Sequence, residues 1–411
     1  MSTDRGRGAS SPQVMRRANR QALLRLALQG GSFTASDAMA ATGLTRATVL
    51  GVCAELGADG WIVEDSSRPA DARARTGRPA RRYRLDSSGA VLLGIDAGEH
   101  TLTVQVTDLT GAEQATAHAV VEAPDGPAAT AEQRIEALSD LIERALVQAD
   151  ATGARRVLTV VGVPAPVDED GASPEDSVGF WRRMNPGLVT ALAHRGASHV
   201  LVENDADLAA IAEHASGAGP HVVTLLTGQR LGAGLVVDGR LLRGEQGGAG
   251  ELSVLDLALG DRGHGTDGVV VLARRWAQDL LSGDPLRAQA SPLSRIAPAR
   301  LTAEDVFGAA AAGDALAAQV LERLGERLAR VSVILAGLLG ARTVVVAGAL
   351  AEVLEPVLEH SRAAIPRIVP PPHPRLVASR HGADVVARGA VELAVHHLRA
   401  DPLQHLDRAR Q

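Results

Sequence analysis

The stretch that most constrains the fold is residues 200–207, where a short apolar run leads directly into two carboxylates and an amide. Val200 to Val202 predict a buried strand, and residues 208–212 predict a helix. Polar groups at such a junction are typical of ligand sites in open α/β sheets, and a helix N-terminus adds partial positive charge. Asp205 is therefore a candidate acceptor of a proton from a ligand hydroxyl. The alternative is that Asn204 or Asp205 only caps the helix.

Composition excludes several classes of protein. The 411 residues suffice for two or three domains, and 45% hydrophobic residues supply the cores. No apolar run is long enough to cross a bilayer, and the polar N-terminus predicts no secretory signal, so we expect a cytoplasmic protein. The chain has one cysteine, Cys53, and no lysine. Intramolecular disulfides, a multi-cysteine zinc site and a P-loop are thereby excluded.

Charge is unevenly distributed along the chain. Residues 1–85 contain fourteen Arg and seven Asp or Glu, a net charge of +7, whereas the remaining 326 residues carry −13. A small basic unit joined to a large acidic one favours nucleic-acid binding by the first. A solvated Arg-rich tail is the alternative that charge alone leaves open.

Residues 13–86 have the pattern of a winged helix-turn-helix. A short helix over 35–41 is followed by Gly43 and by a longer helix capped by Thr45. The second helix presents Thr45, Arg46 and Thr48 at its N-terminal end, and these residue types contact phosphates and base edges in a major groove. The alternative is a helical hairpin used for protein contacts.

Two predicted strands, 61–64 and 82–85, flank a loop rich in arginine, which reads as a basic wing. We expect duplex DNA to be bound by the recognition helix and by this wing. The wing arginines are Arg68, Arg73, Arg75, Arg78 and Arg81, of which the last three are the candidate DNA contacts.

The acidic body contains turns suited to phosphate. A strand over 91–96 ends in Asp96, followed by Gly98 and a hairpin; glycine-rich turns follow at 228–234 and 244–250. Asp-x-Gly at a hairpin can hold Mg²⁺, and glycines let backbone amides approach an anion. The alternative for Asp96 is hydrogen bonding to turn amides only.

Together these motifs resemble the ROK family (repressors, open reading frames and sugar kinases), specifically its winged-helix transcriptional regulators, over about residues 13–400. The N-terminal motifs are Arg17-x-Asn19-Arg20, Thr42 to Val49, Ala54-Glu55-Leu56 and Gly77-Arg78-Pro79. The body motifs are Gly94-Ile95-Asp96-x-Gly98, Val161 to Asp168, Glu203-Asn204-Asp205-Ala206, Gly228-x-x-Leu231-Gly232-Ala233-Gly234, Arg243-Gly244, Gly248-Ala249-Gly250-Glu251 and Val346-Ala347-Gly348.

The resemblance implies an α/β architecture: an N-terminal winged helix-turn-helix followed by a two-lobed actin-like ATPase (ribonuclease H-like) ROK domain. The expected boundaries are a disordered tail over 1–12, a DNA-binding domain over 13–86 and a ROK domain over 90–400. The lobes are expected at about 90–204 and 205–382, with a last helix, 383–398, packing back. Residues 401–411 are expected to be a tail.

The resemblance also implies residue roles. In the family's kinases the Asp matching Asp205 deprotonates a sugar hydroxyl, and the positions of Asn204 and Glu251 contact the sugar; Asn185 is a further candidate effector contact. The positions that match the ATP-phosphate motifs are Asp96, Gly98, Gly228, Gly232, Gly234 and Gly348.

Three departures from the family pattern bear on function. Val254 stands where the family has a His that contacts sugar, and residues 260–267, with a lone His264, replace a Cys-rich zinc loop. We therefore predict that the family's zinc is absent and expect no metal site. Glu99 in the first phosphate turn and Asp207 beside Asp205 add negative charge, which disfavours a polyanionic nucleotide.

The sequence thus predicts a transcriptional regulator, most simply a repressor, controlled by a sugar or sugar-phosphate effector. A homodimer or dimer of dimers would bind an inverted repeat in double-stranded DNA, with no cofactor and no membrane. Ligand would close the lobes and reposition the DNA heads. The alternative is an ATP-dependent sugar kinase that uses Mg-ATP, with Asp205 as general base.

Overall fold

The computed structural model describes residues 12–65, 80–121, 128–176, 178–245, 247–255, 266–283 and 285–408. The wing residues Arg75 and Arg78 and the loop residue His264 lie outside these ranges, so what the sequence predicts for them stays a prediction. Within the described part of the chain, no helix is both long enough and apolar enough to cross a membrane.

The described strands form one three-stranded and two five-stranded sheets. They are β1 (Ser32–Thr34), β2 (Ile62–Glu64), β3 (Arg82–Leu85), β4 (Ala90–Ala97), β5 (Thr101–Thr107), β6 (Glu113–Val120), β7 (Arg155–Val163), β8 (Val200–Asn204), β9 (Val222–Thr227), β10 (Leu231–Val237), β11 (Arg240–Leu241), β12 (Thr343–Ala347) and β13 (Arg375–Ala378).

The described α-helices are α1 (Pro12–Ala27), α2 (Ala35–Thr42), α3 (Arg46–Ala58), α4 (Ala131–Gln148), α5 (Phe180–Met184), α6 (Leu188–Ala193), α7 (Asp205–Ala215), α8 (Val269–Gly283), α9 (Pro285–Ala290), α10 (Ala303–Ala311), α11 (Ala315–Leu339), α12 (Glu355–Ile368), α13 (Val385–Ala400) and α14 (Pro402–Arg408). Short 3-10 turns lie at Leu252–Val254, Pro292–Arg295, Pro298–Arg300, Ala351–Val353 and Gly382–Asp384.

Helices α2 and α3 form where the capping residues predict them. The Thr34 hydroxyl accepts a hydrogen bond from the Asp37 N–H, and the Asp37 carboxylate accepts one from the Thr34 N–H. Helix α2 ends at Gly43, whose φ of 71° is a left-handed conformation that glycine adopts without strain. Thr45 then caps α3 by accepting a hydrogen bond from the Thr48 N–H.

A small antiparallel sheet follows these helices, in the order β1-β3-β2. Strand β2 pairs with β3, as the sequence predicts for these two segments, and the pairing joins Ile62 to Leu85. Strand β1 is not apparent in the sequence, because three residues are too few to show an alternating pattern. Trp61, fully buried at the start of β2, has the guanidinium of Arg155 over its ring at 4.4 Å, so the N-terminal unit touches the body here.

The first body sheet has the order β6-β5-β4-β7-β8, with β4, β7 and β8 parallel and β5 and β6 antiparallel. Strand β4 is apolar on both faces because each face is covered by a helix. Alternate residues Val91, Leu93 and Ile95 pack with α4, whereas Leu92, on the opposite face, belongs to the core that contains α13.

The second body sheet, in the order β11-β10-β9-β12-β13, repeats the strand directions of the first. Its core is shared with α8, α10, α11 and α12. Two sheets of the same topology in one chain are the two lobes expected from the sequence, so the predicted actin-like α/β architecture is confirmed.

Helices α7 and α13 pack against each other between the two sheets. Helix α7 lies on β9 and β10, and α13 lies on β4 and β7. Their backbones approach closely at Gly389, where a Cβ atom would overlap with the carbonyl group of Leu208. This tight helix pair therefore holds the two lobes together at their centre.

The expectation that residues 401–411 form a tail is wrong for residues 402–408, which form α14. Leu403 and Leu406 of this helix are buried, and α14 contacts α1, α13 and β7. The apolar pair is too short to indicate a helix by its spacing, and its burial depends on contacts with the other end of the chain. Residues 409–411 lie outside the described part.

We predict that Leu406→Ala destabilises the protein by about 2–4 kcal/mol, because it removes a fully buried side chain and leaves a cavity. The urea midpoint of unfolding, followed by circular dichroism, measures the effect. Leu338→Ala is the matched control, since Leu338 is 78% exposed. Equal midpoints for the two variants would show that α14 is not part of the folded core.

Candidate functional site

A cleft of about 700 Å³ lies between the lobes. The first lobe contributes the turn after β4, with Asp96 and Gly98, and the β8–α7 junction. The second lobe contributes the β9–β10 turn and Gly348 after β12. These segments meet because β4, β7 and β8, and likewise β9 and β12, are parallel and end on the cleft side.

At the β8–α7 junction, the structure shows the capping that the sequence offered as one reading, and Asn204 is the capping residue. The Asn204 Oδ1 caps α7 by accepting hydrogen bonds from the N–H groups of Ala206 and Asp207, at 2.9 and 3.1 Å. The Asn204 amide nitrogen donates to the Ala165 carbonyl at 3.1 Å. Asp205, which also lines the cleft, is thereby fixed at the first position of the helix.

Three carboxyl groups of the cleft have pKa values above their ordinary range. Burial raises the pKa of Asp205 to about 7, and nearby Glu251 adds to the rise. Burial, helped by Asp205 and Asp384, raises the pKa of Asp96 to about 8. The pKa of Glu251 is also raised by burial. Near neutral pH, Asp205 can therefore accept or donate a proton, which suits hydrogen bonding to hydroxyl groups.

The turn after β4 is held in place by hydrogen bonds from Arg134 of α4. This arginine is only 4% exposed and donates to the carbonyl oxygens of Ala97, Gly98 and Glu99 at 3.2, 2.6 and 2.7 Å. Sequence reasoning missed Arg134. The available signal was its place on the buried stripe of an amphipathic helix, four residues before Leu138 and seven before Leu141.

Glu99 lines the cleft, as predicted, but it is paired. Its Oε1 lies 3.2 Å from a guanidinium nitrogen of Arg183, and both side chains are about three-quarters buried. The pairing partly offsets the negative charge that the sequence places beside a nucleotide phosphate.

Arg230, within the glycine-rich β9–β10 turn, also lines the cleft and was missed from the sequence. Its guanidinium stacks over the ring of Phe180, 3.6 Å from the centroid, and so joins the second lobe to the first. Its positive charge lowers the pKa values of Asp205 and Glu251, against the larger effect of burial. A large cation therefore projects from the turn that would otherwise offer only backbone to a phosphate.

Asp207 does not lie on the cleft wall, and this corrects the electrostatic argument made from the sequence. Its side chain is 2% exposed, and burial together with Glu203 raises its pKa well above the ordinary value. Arg243 lowers that pKa, and donates to Glu203 at 2.6 Å. Asp207 thus adds less negative charge to the site than its sequence position suggests.

The other predicted body residues divide into two groups. Glu251, Gly228 and Gly232 line the cleft. Gly234 does not, because it lies under α7, where a Cβ would overlap with the Ala206 backbone. Asn185 is also outside the cleft: its amide nitrogen donates to Gly171 O and Ser173 Oγ, both at 3.0 Å, beside a separate depression lined by Arg182 and Arg183.

The predicted DNA contacts that the structure describes are Thr45, Arg46, Thr48 and Arg81. Thr45 and Arg46 are exposed at the start of α3, and Thr48 is half-buried, with its hydroxyl 2.9 Å from that of Thr45. Arg81, at the edge of the wing, lies 3.7 Å from Glu64.

Two lobes of repeated topology, with carboxylates and glycine-rich turns facing a shared cleft, define a protein of the actin-like ATPase fold. Residues 92–397 match the ROK family, which is most of the chain. The chain belongs to the ROK family.

Relatives of this chain include regulators and kinases. The DNA-binding transcriptional dual regulator NagC of Escherichia coli K12 is 26% identical over 364 residues, 84% of each chain. The crystal structure of a ROK family transcriptional regulator, a homolog of the E. coli MLC protein, matches 95% of this chain and 99% of its own, with a TM-score of 0.67 and 22% identity, and supports the fold. A ROK family glucokinase from Streptomyces griseus, in complex with glucose and AMPPNP, is 25% identical with a TM-score of 0.57, over 74% of this chain and 99% of its own.

We predict that stability falls as pH rises from about 5 to about 8, partly through Asp96 and Asp205. In the unfolded chain these carboxyls ionise near pH 4, whereas in the folded protein they keep their protons to higher pH. The folded state therefore binds more protons in this window. The Asp96→Asn/Asp205→Asn variant should lose less thermal stability than the wild type between these pH values.

Differential scanning calorimetry at pH 5, 6, 7 and 8 measures this effect, with all buffers at one ionic strength. Asp140→Asn is the control, because Asp140 is exposed on α4. Parallel curves of melting temperature against pH for the wild type and the double variant would contradict the assignment of raised pKa values to the cleft.

Proposed function

We propose that this protein is a sequence-specific transcriptional regulator, a repressor, whose cleft takes a carbohydrate-type effector. The observation that carries the proposal is that the similarity to NagC extends over 84% of both chains and therefore beyond the family domain. The kinase likeness covers only 74% of this chain, about the length of the family domain alone.

The DNA interface is proposed at the N-terminal end of α3 and at the wing. Arg46 is exposed beside the capping hydroxyl of Thr45, where both reach outward from the first turn. The net charge of +7 over residues 1–85 favours attraction to phosphates and makes the binding sensitive to salt. A homodimer would place two such helices on an inverted repeat.

The effector is proposed to lie against Asp205 and Glu251. Carboxyl groups that can donate or accept hydrogen bonds suit the adjacent hydroxyls of a sugar. The relatives named for N-acetylglucosamine and for glucose make these sugars and their 6-phosphates the first to test.

The second candidate function, a sugar kinase, is favoured by one observation: Asp205 faces the cleft with its pKa raised to about 7, near that of an effective general base. The nucleotide side of the cleft fits less well. Glu99 also lines the cleft, where its negative charge disfavours a polyphosphate. We therefore derive no step through Mg-ATP.

We predict that Arg46→Ala weakens binding to a duplex, selected with the full chain from a random pool, by about 1–3 kcal/mol and reduces the salt dependence of binding. Fluorescence anisotropy at several salt concentrations measures both quantities. Arg144→Ala is the control, because Arg144 is exposed on α4 of the body. If Arg46→Ala and Arg144→Ala bind as the wild type does, α3 is not the recognition helix.

We predict that at least one of glucose, N-acetylglucosamine and their 6-phosphates raises the melting temperature by mass action, and that Asp205→Ala abolishes the increase. Asp140→Ala should keep it. ADP release with the same sugars and Mg-ATP, lost in Asp205→Ala, would instead establish the kinase. If none of the four compounds raises the melting temperature, these two sugars and their 6-phosphates are excluded as effectors.

A further inference from the structure

Helix α13 connects the cleft to the N-terminal unit without a break. Its first two residues, Val385 and Val386, line the cleft, and its last residue is Ala400. At about 1.5 Å per residue, its 16 residues span about 24 Å. One rigid element thus has one end in the ligand site and the other at the N-terminal helix.

The cleft end of α13 cannot slide independently of the ligand-binding elements. Gly389 faces the Leu208 backbone on α7, the helix that begins at Asp205, so closely that a Cβ would overlap with it. Gly94 of β4, the strand that carries Asp96, approaches the Ala387 carbonyl in the same way. A displacement of α7 relative to β4 must therefore move α13, because closely packed backbones leave no free volume.

The other end of α13 is clamped by helix α1. The Arg25 guanidinium donates to the carbonyl oxygens of Arg399 and Ala400, at 3.0 and 2.5 Å. These carbonyls have no partner within their own helix, and a cation beside them also complements the helix dipole. In return, Arg399 donates to the Leu28 carbonyl at 3.2 Å.

A second contact continues the clamp beyond the end of α13. The Gln21 amide donates to the Asp401 carboxylate at 2.7 Å, and Arg17 lies 3.5 Å from the same carboxylate. Since α1 also contacts α14, the N-terminal unit is held to the end of α13 along more than one turn of helix.

We propose that α13 is the mechanical link between the two sites, and that Arg25 and Gln21 form the clamp that transmits its position to the N-terminal unit. A change in lobe separation at the cleft moves α13, and the clamp carries the movement to α1. The use of this link in regulation rests on the proposed function, but the link itself can be tested without DNA or effector.

The clamp is tested by pulsed electron–electron double resonance on the full chain, with spin labels at Ala40→Cys in α2 and Asp140→Cys in α4. Cys53 is 2% exposed and stays unlabelled. Arg25→Ala/Gln21→Ala should broaden the distance distribution. Arg16→Ala should leave it narrow, because Arg16 pairs with Glu55 inside the N-terminal unit. Equal widths for the wild type and the clamp variant would overturn the proposal.

Transmission of movement along α13 is tested by adding a Cβ atom at one of its close backbone contacts near the cleft; these substitutions are called wedge variants. Gly389→Ala, or Gly94→Ala should the first variant not fold, forces α13 away from its neighbour and should shift the most probable label distance. Adding the clamp substitutions should abolish that shift. A folded wedge variant with an unchanged distance, or a shift that survives loss of the clamp, contradicts the link.

These outcomes are separable from those of the proposed function. If the protein binds neither DNA nor sugar, the label distances still test the clamp. If the label distances contradict the clamp, the tests of DNA and sugar binding are unaffected. If neither wedge variant folds, the comparison of the clamp variant with Arg16→Ala decides the matter alone.

Discussion

The backbone contact between α7 and α13 is the constraint on which the rest of the structure depends. Each helix covers one sheet, and their close approach at Gly389 brings the two lobes together. The chain reaches this arrangement by returning from the second lobe to cover the first sheet with its last long helix. Cleft geometry is therefore set by how this helix pair packs, and a ligand that binds both walls acts on that packing.

The electrostatics of the cleft support the proposal of a ligand rich in hydroxyl groups rather than a polyphosphate. Burial keeps protons on Asp96 and Asp205 near neutral pH, so these groups present hydrogen-bond donors as well as acceptors. Two arginines near the cleft make contacts within the protein: Arg134 holds backbone carbonyls, and Arg230 stacks on Phe180.

The sequence was sufficient for features whose signal is local. The helix predicted after the Thr45 cap is α3 (Arg46–Ala58), and the strand predicted over 91–96 is β4 (Ala90–Ala97). Asp205 could be assigned to the cleft because a strand-to-helix junction is itself a local pattern. The features that were missed depend on residues far apart in the chain. Arg134 serves a turn 35 residues away, and the burial of Leu406 requires the first helix. No periodicity reports such contacts.

Effector binding in the cleft and DNA binding by the N-terminal unit are proposed to be coupled. A ligand bound at either site then changes the affinity of the other site by the same factor. Isothermal titration of the selected duplex, with and without a saturating sugar that stabilises the protein, measures this directly, as does titration of the sugar with and without the duplex. The ratio of the duplex dissociation constants with and without sugar should differ from one. It should equal the ratio of the sugar dissociation constants with and without duplex. Affinities at each site that are independent of the other site would contradict it.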